Sequence, residues 1–178
     1  MKSNIIQIAN EHDLAVLEEQ VRTRHRVDVL AMRALSILAY MPENINDLPE
    51  VPGGGVDEYD KDILEAAQRE TMEESGWIIS NINEIKLEDN CVFEPKVFSW
   101  INKIGFEQER QFYVSCKAEK FDPDHTYMTE GDSKKFQLVS LSLFIARTKY
   151  AVEVCENDHW VFQAKLRLKA IEKITGSM

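Results

Sequence analysis

At 178 residues, 44% hydrophobic and 29% charged, the chain is sized for one soluble globular domain, residues 1–178, that buries most of its apolar surface. A formal charge of −10 argues against a nucleic-acid coat or any stable nucleic-acid complex, because neutralising a phosphate backbone needs a basic face. A small phosphorylated ligand, held by a few cations and a metal, is compatible with it. Cys91, Cys116 and Cys155 are odd in number and form no C-x-x-C pair, so a reducing cytoplasm fits better than a disulfide framework or zinc ribbon. No N-terminal stretch reads as a signal peptide. The longest apolar run, residues 27–40, carries Asp28 and Arg33 and is too short to span a bilayer, so no membrane partner is expected.

In chain order, residues 9–22 predict a short helix, and the Val/Leu/Ile-rich residues 26–40 predict one or two strands. Residues 41–50 form a loop punctuated by Pro42 and Pro49. A glycine turn, Gly53 to Gly55, leads to a helix from about Asp60 to Ser75, stopped by Gly76. Residues 77–121 predict two or three strands with turns near Asn90 and Gly105. A polar loop over 122–135 and a short strand in FQLVSL follow. A closing helix runs from about His159 to Ile174, with Trp160, Ala164, Leu168 and Ile171 as its apolar stripe and Lys165, Arg167 and Lys169 on a solvated face. This order predicts an α/β (α+β) domain whose helices cover both faces of a mixed sheet.

The helix after the glycines raises a question of charge. At about 100° per residue from Ile63, Glu70 falls near −20°, Glu74 near 20° and Ala67 near 40°. Two carboxylates therefore point where the apolar side chains point. A bare buried carboxylate is costly, and two of them one turn apart repel. A divalent cation resolves both problems, and hard oxygen donors suit Mg²⁺ or Mn²⁺. Glycines beside them allow the backbone to approach such a site closely, so that a backbone carbonyl can complete the metal shell.

The stretch R69-E70-T71-M72-E73-E74-S75-G76-W77, preceded by P52-G53-G54-G55-V56-D57, resembles the Nudix box, here about residues 53–77. Against the family pattern G-x5-E-x7-R-E the first acid is displaced. Counting forward from Gly54 gives Asp60, with one residue inserted before Arg69. Either Asp60 or Glu65 can serve as partner of Arg69. Thr71 and Trp77 stand where aliphatic residues are usual.

The resemblance implies a Nudix-type α/β/α sandwich with a mixed central sheet. It also implies Mg²⁺-dependent (or Mn²⁺-dependent) hydrolysis of a pyrophosphate bond in a nucleoside diphosphate linked to a moiety X. The substrate would be a nucleotide-type small molecule such as ADP-ribose, an ADP-sugar or a nucleoside triphosphate. Carried over by position, Glu70, Glu73 and Glu74 hold the metal with a carbonyl from Gly53 or Gly54, the latter preferred. Arg69 orients the glutamates, and Glu70 can also help deprotonate water. A further acid from a later loop is expected at Glu130, with Asp132, Glu107 and Glu109 as alternatives. Arg33 is the candidate for substrate phosphates, and Phe98, Trp100 and Tyr127 are candidates for base stacking. A family subset acting on ADP-ribose and ADP-sugars carries a proline past the box, where Pro95 stands. Homodimers are common in the family, and a homodimer stays open here. The alternative is a non-catalytic nucleotide-binding or regulatory domain of the same fold; retention of all three box glutamates favours the enzyme.

Overall fold

The computed structural model describes residues 5–8, 22–87, 90–93, 108–122, 124 and 135–176, the segments 5–8 and 90–93 by their backbone only. Among the described residues the strands are β1 (Ile5–Ile8), β2 (Thr23–Arg33), β3 (Ser36–Ala39), β4 (Gly53–Gly55), β5 (Trp77–Glu84), β6 (Asn90–Phe93), β7 (Gln108–Phe121) and β8 (Gln137–Ser140). Among the described residues the helices are α1 (Ile63–Ser75), α2 (Leu141–Val154) and α3 (Asp158–Thr175). The strands form one mixed sheet in the order β1-β6-β7-β2-β3-β8, with β4 paired to β2 and β5 to β7. The long central strands β2 and β7 are parallel, in register from Thr23 opposite Gln108 to Met32 opposite Lys117. The other pairings are antiparallel.

Alternation along β2 and β7 builds two cores. Val27, Val29, Ala31, Val114, Cys116 and Ala118 face α1, where Ala66 and Ala67 pack. Leu30 and Tyr113 face the opposite side, against Phe144 of α2 and Leu166, Ala170 and Ile171 of α3. The expected sandwich is therefore present, and none of the described helices is long and apolar enough to cross a membrane.

Several local expectations change. The helix begins at Ile63, with Asp62 as its cap: the Asp62 carboxylate accepts from the backbone N–H of Leu64 and Glu65 at 2.9 and 3.0 Å. Asp60 lies outside it, because its carboxylate already serves the Asp57 N–H and Arg69. Gly76 ends the helix in the left-handed region at φ 68°. Residues 26–40 resolve into the hairpin β2–β3, with Ala34 at φ 53° in its turn. The turn expected near Asn90 falls in the connection between β5 and β6, whose residues 88 and 89 lie outside the described residues, and Asn90 itself begins β6. Helix α2 was not foreseen from the sequence, although its buried Leu141, Phe144, Thr148 and Ala151 follow helical spacing. In α3 the buried face holds Gln163, Ala164, Leu166, Arg167, Ala170 and Ile171, while Trp160 is half exposed. Arg167 is thus buried, contrary to the expected solvated face; it stands three and four residues from the buried Gln163, Ala164, Ala170 and Ile171, and its guanidinium meets Asp28 of β2. The helix expected at 9–22, apart from Arg22, and the turn at Gly105 lie outside the described residues, as do Pro95, Phe98, Trp100 and Tyr127.

Candidate active site

Strand β4 lies alongside β2, with Val27 opposite Gly54, and presents the glycines to the inward face of α1. A Cβ on Gly54 would stand 2.3 Å from the Glu70 carboxyl carbon and both its oxygens, so that carboxylate occupies space only glycine leaves open. Glu70 is 14% exposed in its side chain, and burial pushes its carboxyl above the usual carboxylate range although Arg69 pulls the other way. One turn on, Glu74 Oε2 accepts the Gly53 N–H at 2.9 Å.

Arg69 ties the turn and the helix together. Its guanidinium donates to Asp60 (2.8 and 3.1 Å), to Glu70 Oε1 (3.0 Å), to Glu73 Oε2 (3.1 Å) and to the Gly55 carbonyl (2.9 Å). The choice between Asp60 and Glu65 is thereby decided: Glu65 bonds the Lys61 backbone and pairs with its ammonium. The hydrogen bond to Asp60 is the main reason the Arg69 guanidinium holds its proton more tightly than usual, and the same bond holds the Asp60 carboxyl below the usual range.

The ladder also sorts the glycine carbonyls. Val29 N–H donates to Pro52 O at 2.8 Å and Val56 N–H to His25 O at 2.9 Å. Antiparallel alternation makes Val27 and Gly54 the hydrogen-bonded pair between them, so the Gly54 carbonyl faces β2. The carbonyls of Gly53 and Gly55 turn away; the first accepts from Arg26 at 3.2 Å and the second from Arg69. The geometry thus favours Gly53 over Gly54 as the carbonyl donor.

A charged cluster that the sequence reading did not assign to the site flanks this turn. Arg26 is partly buried; desolvation alone would weaken its proton affinity, but Asp28, Glu109, Glu74 and Glu70 together raise it. Arg24 donates to Glu109 at 2.7 Å. Glu109, 2% exposed, is pushed up by burial, with Arg26 and Arg24 opposing. Of the alternative loop acids only Glu109 is among the described residues; Glu130, Asp132 and Glu107 lie outside them. Arg33 is not brought to the turn. It sits exposed at the far end of β2, five residues past Asp28, where its charge acts on Glu119.

Among the described residues no three acidic, His or Cys side chains converge into a ready cation cage. Arg69 and the Gly53 N–H occupy part of the carboxylate oxygens. The donor chemistry nevertheless fits a hard divalent cation, because Glu70, Glu73 and Glu74 offer carboxylates at one end of a helix beside an outward carbonyl. Binding would exchange some of the Arg69 contacts for metal.

A family profile described as NUDIX domain matches residues 18–153. Among solved structures, a NUDIX hydrolase from Nitrosomonas europaea is similar at TM-score 0.54 and 16% identity, over 84% of this chain and 90% of that one. A structure described as ADP compounds hydrolase is similar at TM-score 0.52 and 14% identity, over 87% of this chain and 76% of that one. No curated protein matches in sequence. These structures share the fold, and with the profile match across most of the chain and the box geometry of α1, this protein belongs to the NUDIX domain family of hydrolases.

Proposed function

We propose that the protein hydrolyses the pyrophosphate bond of a nucleoside diphosphate linked to a moiety X, with Mg²⁺ or Mn²⁺ held by Glu70, Glu73, Glu74 and the Gly53 carbonyl. The observation that carries this reading is the Glu70 carboxylate seated over Gly54, a position that only a missing side chain permits. When bound, the metal supplies Lewis-acid stabilisation of the oxygens at the cleaved bond and makes water more acidic. The chain's own residues do the rest. Arg69 holds the glutamates and the glycine turn in one frame. Arg26 fixes the Gly53 carbonyl and adds positive charge beside the glutamates. A carboxylate then accepts the proton of the attacking water. Glu70 and Glu130 are the proposed acceptors, Glu70 because it is already at the site. The named activity of the ADP compounds hydrolase supports an ADP-linked substrate such as ADP-ribose or an ADP-sugar.

The test is a product profile by chromatography across ADP-ribose, ADP-sugars, nucleoside triphosphates and dinucleoside polyphosphates, with and without Mg²⁺ or Mn²⁺. Metal-dependent release of a nucleoside monophosphate is expected. No turnover of any member with either metal leaves the non-catalytic binding domain as the reading.

A further inference from the structure

A cavity of about 360 Å³ lies between the 40–51 segment and the first half of α3, within the roughly 300–1,000 Å³ usual for small-molecule sites. Arg26 lines it and also donates to the Gly53 carbonyl, so the cavity opens directly beside the box. Tyr40, Leu48 and Pro49 give it an apolar wall; Trp160 and Gln163 of α3 give it an aromatic face and an amide. Arg167 closes its floor. The Arg167 guanidinium donates to Asp28 of β2 at 2.7 Å and to the Pro49 carbonyl at 2.8 Å, which pins α3 to the strand and to the loop together. The family profile ends at residue 153, before α3 begins. The α3 side of the cavity therefore lies beyond the residues the profile matches.

We propose that this cavity receives the nucleoside of the substrate, with the base stacked on the Trp160 indole and the diphosphate reaching past Arg26 to the glutamates. The inference rests on the proposed hydrolysis and adds to it the element that selects the substrate. Three features favour a base. The cavity joins Arg26, which reaches the box, to the aromatic side chains of Tyr40 and Trp160, with Asp47 and Glu50 also in its lining. Trp160 is 47% exposed, so its indole has surface to give to a ligand. An aromatic face between apolar residues suits a planar ring better than a hydroxyl-covered sugar.

The experiment compares AMP with ribose 5-phosphate, which lacks the base, by calorimetry in Mg²⁺ on the wild type and on Trp160→Ala. The half-exposed position of Trp160 makes the variant a mild one for folding. The expected result is a loss of about tenfold in AMP affinity, the order of one stacked base, with ribose 5-phosphate changed by less than about twofold. Cys155 also lines the cavity, so saturating AMP should slow its alkylation, followed peptide by peptide. AMP binding that ignores the substitution, an equal loss for both probes, absent AMP binding to the wild type, or unchanged Cys155 alkylation overturns the subsite. Any of these alongside a panel hydrolysed with metal removes the subsite and leaves the hydrolase reading intact. A panel that stays intact removes the hydrolase reading itself.

Discussion

Replacing Arg167 by Met keeps most of the side-chain stem and removes the charge that faces Asp28. In the structure Asp28 is 1% exposed and Arg167 8%, and their closest approach is 2.7 Å. Removing one partner of such a buried pair typically costs about 3–5 kcal/mol, because the other charge is left without compensation. Here Arg26 stays 3.6 Å from Asp28 and offsets part of that loss, which places the expectation at the low end, about 3 kcal/mol. The Pro49 carbonyl also loses a donor, on the order of 1 kcal/mol within that figure. For a domain of this size the loss corresponds to roughly 6–12 °C in Tm. Urea denaturation at pH 7 measures it as a lower midpoint at unchanged slope. Adding Asp28→Asn to Arg167→Met removes the orphaned charge and should restore more than half of the lost stability. A single-variant loss below about 1 kcal/mol, or a double variant no more stable than the single, would refute the claim that this bridge fastens α3 to the sheet.

Glu74→Gln should abolish most Mg²⁺ binding and lower turnover by several orders of magnitude while the metal-free protein stays folded; calorimetric titration with Mg²⁺ alongside steady-state kinetics checks it, and wild-type turnover would remove Glu74 from the metal set. Gly54→Ala should swing the Glu70 carboxylate aside at a stability cost of about 1 kcal/mol, since only the end of a flexible side chain must move, yet activity should collapse; a stable, fully active variant would contradict the cradle. Asp60 has a lowered carboxyl through its hydrogen bond to Arg69, so it contributes stability above its ordinary value of 3.8 that is lost as pH falls through the folded value. Asp60→Asn should therefore lower Tm near neutrality and flatten the acid limb of a Tm–pH profile, and an unchanged limb would count against the pairing. Burial pushes the Cys116 thiol up to about 12, so in the native protein it should resist a thiol reagent that modifies Cys155, as peptide mapping of the labelled protein would show.

The carboxylate face of α1 was legible in the sequence because it depends on local geometry alone. Helical spacing fixes Glu70 and Glu74 one turn apart wherever α1 is packed, and a run of glycines beside them signals close approach. The same local logic marked the β2–β3 run and the stop at Gly76. Helix α2 carried an equally local signal in Leu141, Phe144, Thr148 and Ala151, but the strand-like FQLVS just before it obscured where the period changes from two to 3.6. The remaining features depend on distant residues meeting. Arg69 lies four residues from Glu65 and nine from Asp60, and only the path of residues 56–62 brings Asp60 beneath the guanidinium. Arg24, Arg26 and Glu109 meet because β2 and β7 run parallel in one register, a pairing across some eighty residues that no periodicity encodes. Arg33, read as a phosphate ligand, falls at the wrong end of that same strand. Arg167, by wheel position alone a choice between core and solvent, goes inward because the fold places Asp28 there. A buried charge follows its partner, and where that partner stands is settled by tertiary packing.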